Sequence, residues 1–264
     1  MKVLNGLVGL VVGALVLQGC AGQDTTPEGR VVSLTTTACG ATSRTSGAGV
    51  IVEDGWVLAS GHVVSGAGSV EVSGPFGTEM ADIVVFDAVG DLSLLRVPSA
   101  RSSAIESAAA NTGDLVELAG GGPSGAIETA ISRPVEVRIE AVRSDERIGR
   151  IGYEIDTRVQ LGDSGGGVFD DDGRLIGIVF GRPSTDEDRS YIVGAGHVME
   201  VLSAERSGQW TCSSTEHRIV PTDSSNSDEG TAQISDEGTA QISDEGTAQI
   251  SDEGTAQNSD EGAG

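Results

Sequence analysis

Gly165-Gly166-Gly167-Val168-Phe169-Asp170-Asp171-Asp172-Gly173, running on into the apolar residues 175–180, is the stretch that decides the fold. It follows Ser164 directly, and Gly162-x-Ser164-x-Gly166 has the form of a nucleophile elbow, in which the serine must open a helix. Three consecutive glycines oppose that helix by about 1 kcal/mol each. Val168-Phe169 and the Asp-Asp-Asp-Gly segment read instead as a short strand entering a hairpin turn. An elbow enzyme would also need Ser164, then Asp186 or Asp188, then His197, within alternating strands and helices. No such alternation surrounds the serine, so the stretch predicts an all-β chain.

Outward from it, short apolar runs punctuated by Gly, Asp and Ser recur at 49–53, 56–59, 69–73, 83–86 and 92–97. They resume at 115–119, 135–142, 152–157, 167–169, 175–180 and 191–193. Valine and isoleucine are abundant and helical periodicity is scarce, the pattern of a β domain. Only 197–206 reads as a helix. Two six-stranded antiparallel barrels joined by a crossover at 98–111 and closed by a short C-terminal helix fit this list.

A serine among glycines exposes its hydroxyl, but the hydroxyl needs a base and the base needs an orienting carboxylate. The chain has three histidines, and His62 ends the apolar run Trp56-Val57-Leu58-Ala59-Ser60-Gly61, where a strand would deliver it. Asp91 opens Asp91-Leu92-Ser93-Leu94-Leu95-Arg96-Val97 and is preferred over Asp87 as the carboxylate. His197 reads as structural and His217 as solvated.

Together, Gly47-Ala48-Gly49-Val50-Ile51-Val52, the run ending at His62 and Val63, the Asp91 strand and Gly162-Asp163-Ser164-Gly165-Gly166 resemble the trypsin-like serine proteases of bacterial HtrA type. The chain is most similar to the actinobacterial membrane-tethered periplasmic members implicated in acid and oxidative stress. The resemblance covers residues 35–212. It implies that His62 is general base and then acid, that Asp91 orients it, and that Ser164 attacks the scissile carbonyl. The backbone N–H groups of Gly162 and Ser164 would form the oxyanion hole, and no metal or organic cofactor is expected. Arg158, Phe180, Gly181 and Tyr191 are the weaker candidates for substrate binding, with Phe180 and Tyr191 equally readable as core. Arg158 offers no acidic pocket floor, so small or medium apolar residues are expected before the scissile bond. Asp163 is expected to find an arginine or backbone donors. Gly61 departs from the family, which has Ala before the histidine, and would loosen the backbone beside the base. The PDZ domain that the class usually carries is not expected here. A catalytically silent homologue serving as an envelope binding or scaffold lipoprotein is the alternative reading.

The ends of the chain read differently. Residues 1–19 have signal-peptide anatomy, a lysine followed by an uncharged run at 3–17. Leu17-Gln18-Gly19-Cys20 looks like a lipobox, which would lipidate Cys20 and hold the protein to the membrane, with 20–30 as a polar tether. An exported, lipid-anchored envelope protein meets an oxidising compartment, so the remaining pair, Cys39 and Cys212, suggests a disulfide. Residues 31–220 form the folded domain. From Ser227 the octapeptide Ser-Asp-Glu-Gly-Thr-Ala-Gln-Ile repeats, and one isoleucine per repeat predicts disorder across 221–264. That tail carries −11 of the formal net charge of −24. So acidic a chain is not expected to bind nucleic acid through phosphates; protein or peptide substrates are its expected partners.

Overall fold

The computed structural model describes residues 26–122, 125–140, 147–182, 188–208, 210, 239–243 and 247–251. Its first element is a single turn of helix, α1 (Pro27–Arg30), capped by the Thr26 hydroxyl, which accepts from the Gly29 N–H. Six strands follow in the first half: β1 (Val31–Ala38), β2 (Arg44–Glu53), β3 (Trp56–Ser60), β4 (Ala67–Gly74), β5 (Gly77–Asp87) and β6 (Leu92–Arg96). A turn of helix, α2 (Gly61–Val64), interrupts them between β3 and β4. They close into an antiparallel barrel in the order β1-β2-β3-β6-β5-β4. The second half repeats the solution with β7 (Leu115–Ala119), β8 (Ala126–Glu140), β9 (Arg147–Ile155), β10 (Gly167–Phe169), β11 (Leu175–Gly181) and β12 (Ser190–Gly194). This barrel closes in the order β10-β11-β12-β9-β8-β7, and α3 (Ala195–Ser203) ends the domain. Closure removes every sheet edge, which suits a chain whose strands are this short and apolar.

The deciding stretch is a β-hairpin. Gly167 begins β10, Gly173 turns at φ +75°, and its N–H donates to the Asp170 carbonyl at 3.0 Å. No helix opens after Ser164, and the elbow reading falls with it.

Each barrel has its own apolar filling, Leu34, Ile51, Val57, Val72 and Leu95 in the first and Leu118, Ile131, Ile155, Val168 and Ile192 in the second. A third cluster lies where they meet: Val50, Leu58 and Leu94 pack with Ile178, Phe180, Val193 and Val198. At roughly 25 cal/mol per Å² of apolar surface removed from water, this shared cluster docks the barrels firmly. The seam is therefore a fixed frame for side chains contributed from both sides.

Five features differ from expectation. β1 went unread because its apolar residues alternate with Ser and Thr, the signature of a half-exposed strand. The first half of β8 was missed for the same reason, and α3 begins two residues earlier than its pattern suggested. The tether's last residues are docked: Arg30 is buried, its guanidinium donating to the Ile51 carbonyl and to Ser103. In the repeat tail, β13 (Thr239–Ser243) and β14 (Thr247–Ser251) form an antiparallel hairpin where disorder was expected. Two copies of Thr-Ala-Gln-Ile-Ser alternate with period two, so they can pair in register. Cys20, Cys212, Asp186 and His217 lie outside the described residues.

Candidate active site

His62 stands in the single turn α2, directly after β3. The Gly61 N–H donates to the Asp91 carbonyl at 2.7 Å, which folds that turn over the start of β6. A Cβ at residue 61 would lie 3.1 Å from both the Asp91 carbonyl carbon and its Oδ1. Gly61 therefore lets the histidine turn settle tightly on the aspartate, rather than loosening the site.

Asp91 is buried and is the one non-glycine residue with a positive φ among the described residues, +55°. Such a conformation costs of order 1–3 kcal/mol and persists only when its surroundings hold it. Its reward is a doubly used carboxylate. Oδ1 accepts the His62 backbone N–H at 2.7 Å, and Oδ2 lies 2.8 Å from the imidazole Nδ1. Burial alone would raise the Asp91 pKa, but the facing His62, with help from the Arg150 charge, holds it below the ordinary carboxylate range. The imidazole keeps one open side, with 23% of its side chain exposed.

Asp87, the rival carboxylate, does something else. Its Oδ1 accepts the Val89 N–H at 2.9 Å, closing the turn before Asp91. Burial pushes its pKa up, opposed by the Gly90 and Val89 N–H groups and by the nearby His197 and Arg150. His197 sits on α3 beside Gly90 and 3.5 Å from Glu200 Oε2, away from the serine loop's own contacts.

Ser164 arrives from the other barrel. Gly162 and Gly165 flank it at φ +101° and +90°, a backbone path that side chains resist. Its carbonyl accepts the Ala48 N–H of β2 at 2.7 Å, and the Gly165 N–H donates to the Val179 carbonyl at 2.8 Å. That same Val179 carbonyl accepts the hydroxyl of Ser60, two residues before His62, at 2.9 Å. A Cβ at residue 165 would meet the Ala48 carbonyl at 2.1 Å and the Ser60 nitrogen at 3.1 Å. The serine and histidine loops are thus laced to one another across the seam. No hydrogen bond joins the Ser164 hydroxyl to the imidazole.

Asp163 finds backbone donors rather than an arginine: its buried carboxylate accepts from Gly122 N at 2.7 Å and Gln160 N at 2.8 Å. The N–H groups of Asp163, Gly165 and Gly166 are all engaged by carbonyls. Among the described residues, those of Gly162 and Ser164 donate to no acceptor. The glycine-rich turn thus leaves two N–H donors unengaged, one on either side of Asp163.

The weaker candidates do not gather into one wall. Phe180 and Tyr191 are buried and stacked, ring centroids 5.9 Å apart, and belong to the core. Gly181 pairs with Tyr191 across β11 and β12, and Arg158 is exposed. Beneath that loop the Ser190 hydroxyl donates to the Thr157 carbonyl at 2.7 Å and accepts from Val159 N at 3.0 Å. Two buried charges were not foreseen: Glu154, ion-paired to Arg133 and Arg189, and Arg150. Arg150, Gly152 and Glu154 alternate along β9, a polar face whose purpose only the neighbouring elements reveal.

A twin-barrel fold with a histidine, a buried aspartate and a serine loop at the barrel seam defines the class. Residues 46–178 match the trypsin-like peptidase domain, and the chain belongs to that family. It is 33% identical over 168 residues to the serine proteases MT3772 and Rv3671c of Mycobacterium tuberculosis. The match takes in 60% of this chain and 41% of each relative, so the chain spans about two fifths of their length. The crystal structure of the Rv3671c protease in its active form superposes with a TM-score of 0.64 at 28% identity, covering 71% of this chain and 87% of that one. The HtrA-type protease AlgW, with a tripeptide, shares the fold at a TM-score of 0.55 and 23% identity, covering 66% and 59% respectively.

Proposed function

We propose that this chain is a serine endopeptidase that cleaves exposed protein or peptide segments through His62, Asp91 and Ser164. The observation that carries the reading is the buried Asp91 carboxylate, bound twice to His62, at the seam where Ser164 is laced in from the second barrel. Asp91 fixes the tautomer with Nδ1–H and turns the other ring nitrogen outward. Substrate would lie as an extended strand beside residues 180–182. The imidazole takes the proton of the Ser164 hydroxyl as oxygen attacks the carbonyl, and the free amides of Gly162 and Ser164 receive the negative charge. The proton then passes to the leaving amine, and water repeats the sequence on the acyl-enzyme. In unliganded enzymes the base-to-nucleophile hydrogen bond is often open and tightens only with substrate.

An export signal at residues 1–19 and a lipid on Cys20 would place the enzyme on the outer face of the cytoplasmic membrane or in the periplasm; the sequence of the lipobox supports this. Among the described residues no helix is long and apolar enough to cross a membrane. A Cys39–Cys212 disulfide belongs to the same reading, since these two cysteines remain once Cys20 is lipidated. Trp210, two residues before Cys212, packs on Phe86 at 5.0 Å between ring centroids and its backbone N–H donates to the Ile83 carbonyl, so the segment after α3 returns to the first barrel.

Reaction with a fluorophosphonate probe tests the activity. Labelling is expected in the wild type, absent in Ser164→Ala and severely slowed in His62→Ala. Labelling that survives both substitutions refutes the triad. An unlabelled wild type, folded and at every pH, is the signature of the silent homologue, which the open serine-to-histidine contact would then explain.

A further inference from the structure

We propose that Arg150, on β9 of the second barrel, is a positioning residue that holds the Asp91 turn of the first barrel in its working shape. The proposal rests on Asp91 being the orienting carboxylate. Arg150 is among the largest fully buried side chains, 2% exposed, and it points away from its own barrel's core. Its Nε donates to the Val89 carbonyl and its second terminal nitrogen donates to the Ala88 carbonyl at 3.1 Å. Both carbonyls belong to the tight turn between β5 and β6 that ends in Asp91. A planar guanidinium reaches two successive carbonyls at once, which a single ammonium cannot do with the same geometry.

That turn needs an external hold. Asp91 sits at φ +55°, and the turn is closed so tightly that a Cβ at Gly90 would fall 2.3 Å from Asp87 Oδ2. Within the first barrel the Gly61 N–H holds the Asp91 carbonyl and the Asp87 carboxylate accepts the Val89 N–H, while the Ala88 and Val89 carbonyls are met from the second barrel by Arg150. Burying an arginine is expensive unless its charge is compensated and its donors are used. Here the charge faces Asp91 and Asp87, and desolvation still lowers the guanidinium's own pKa. Around this centre stand His62 of α2, Asp87 and Asp91 of the turn, and His197 of α3 with its neighbour Glu200. Arg150 is therefore the fixed cation between two carboxylates, one of which orients the base. A strand of one barrel sets the shape of the catalytic turn of the other, so the triad is complete only when the barrels are docked.

The charge has a readable consequence. Without Arg150 the buried Asp91 carboxylate keeps only His62 as its facing cation, so the acid limb of the labelling rate should move to higher pH. The test is the second-order rate of fluorophosphonate labelling from about pH 5 to about pH 9, where histidine titrates. The full chain is used as wild type, Arg150→Met, Arg150→Lys and Ser164→Ala. For Arg150→Met the acid limb is expected to move up by about half a unit, a roughly threefold loss of rate below the midpoint, with a lower plateau. For Arg150→Lys the limb should stay in place while the plateau falls about tenfold, because the turn is no longer held by both carbonyls. Rates and limbs that superpose on wild type in both variants overturn the proposal, even if their melting temperatures fall. Should Arg150→Met fail to fold, Arg150→Lys decides: a wild-type plateau refutes the positioning role. Full labelling of Ser164→Ala would instead remove the triad reading itself.

Discussion

At the scale of single residues, the site is built from strained or crowded backbone that only certain side chains tolerate. Asp91 accepts a left-handed conformation, and its reward is a carboxylate that grips both the backbone and the ring of His62. Asp91→Asn preserves the shape but favours the wrong tautomer, and its steady-state peptidase rate should fall by about 10⁴-fold. A Cβ at Gly162 would make only ordinary contacts, the nearest atom being 3.7 Å away, yet its φ of +101° excludes an unstrained side chain. Gly162→Ala should rotate the 162 amide out of the oxyanion site and slow turnover about 100- to 1000-fold. An unchanged rate in that variant would remove Gly162 from the oxyanion role. The tight turn around Ser164 was legible from residue type alone, because Gly162 and Gly165 take positive φ values that side chains resist. Arg150 was not legible, since a lone arginine in a strand says nothing of what lies beyond its own sheet.

At the scale of elements, α1 shows how a segment that looks like a tether becomes part of the domain. Arg30 reaches the Ile51 carbonyl of β2 and both the carbonyl and hydroxyl of Ser103 in the crossover between barrels. Arg30→Ala leaves these acceptors without their charged donor and should cost about 1–3 kcal/mol in denaturant unfolding. Probe labelling at 25 °C should be unaffected, since Ile51 and Ser103 lie outside the histidine and serine loops. The β10–β11 hairpin was read correctly because three glycines and an Asp-rich turn leave little alternative. β1 escaped notice because its Ser and Thr residues conceal a period-two burial that only the neighbouring strands β2 and β4 complete.

For the whole molecule, pH and redox state are the relevant variables. Asp91 has a pKa held below its unfolded value. Its contribution to stability is thus fully present above the ordinary carboxylate range and is lost as pH falls through the depressed value. Asp87 works in the opposite sense: its raised pKa means that ionising it costs stability as pH climbs from the unfolded value through the folded one. Asp87→Asn should therefore flatten the loss of stability with rising pH in the mildly acidic range, measured by thermal melts at a series of pH values. A Cys39–Cys212 bond would close a loop long enough to contribute roughly 4–5 kcal/mol in the chain-entropy account. Reduction should lower the melting temperature by roughly 10 °C or more. Intact mass after alkylation of unreduced protein should show no modified thiol at either position; two modified cysteines would dismiss the pairing.

What the sequence determined by itself is local: turns forced by glycine, strands marked by β-branched residues, and a serine, a histidine and an aspartate in an order that matches one family. These follow from short-range sterics and from residue chemistry, which act within a few positions of the chain. The tertiary structure alone decided which barrel supplies the grip on Asp91, that Asp163 takes backbone amides, that Phe180 and Tyr191 belong to the core, and that Gly61 tightens the site. Those outcomes depend on contacts between residues tens of positions apart, whose proximity exists only once two closed barrels have buried a common apolar face.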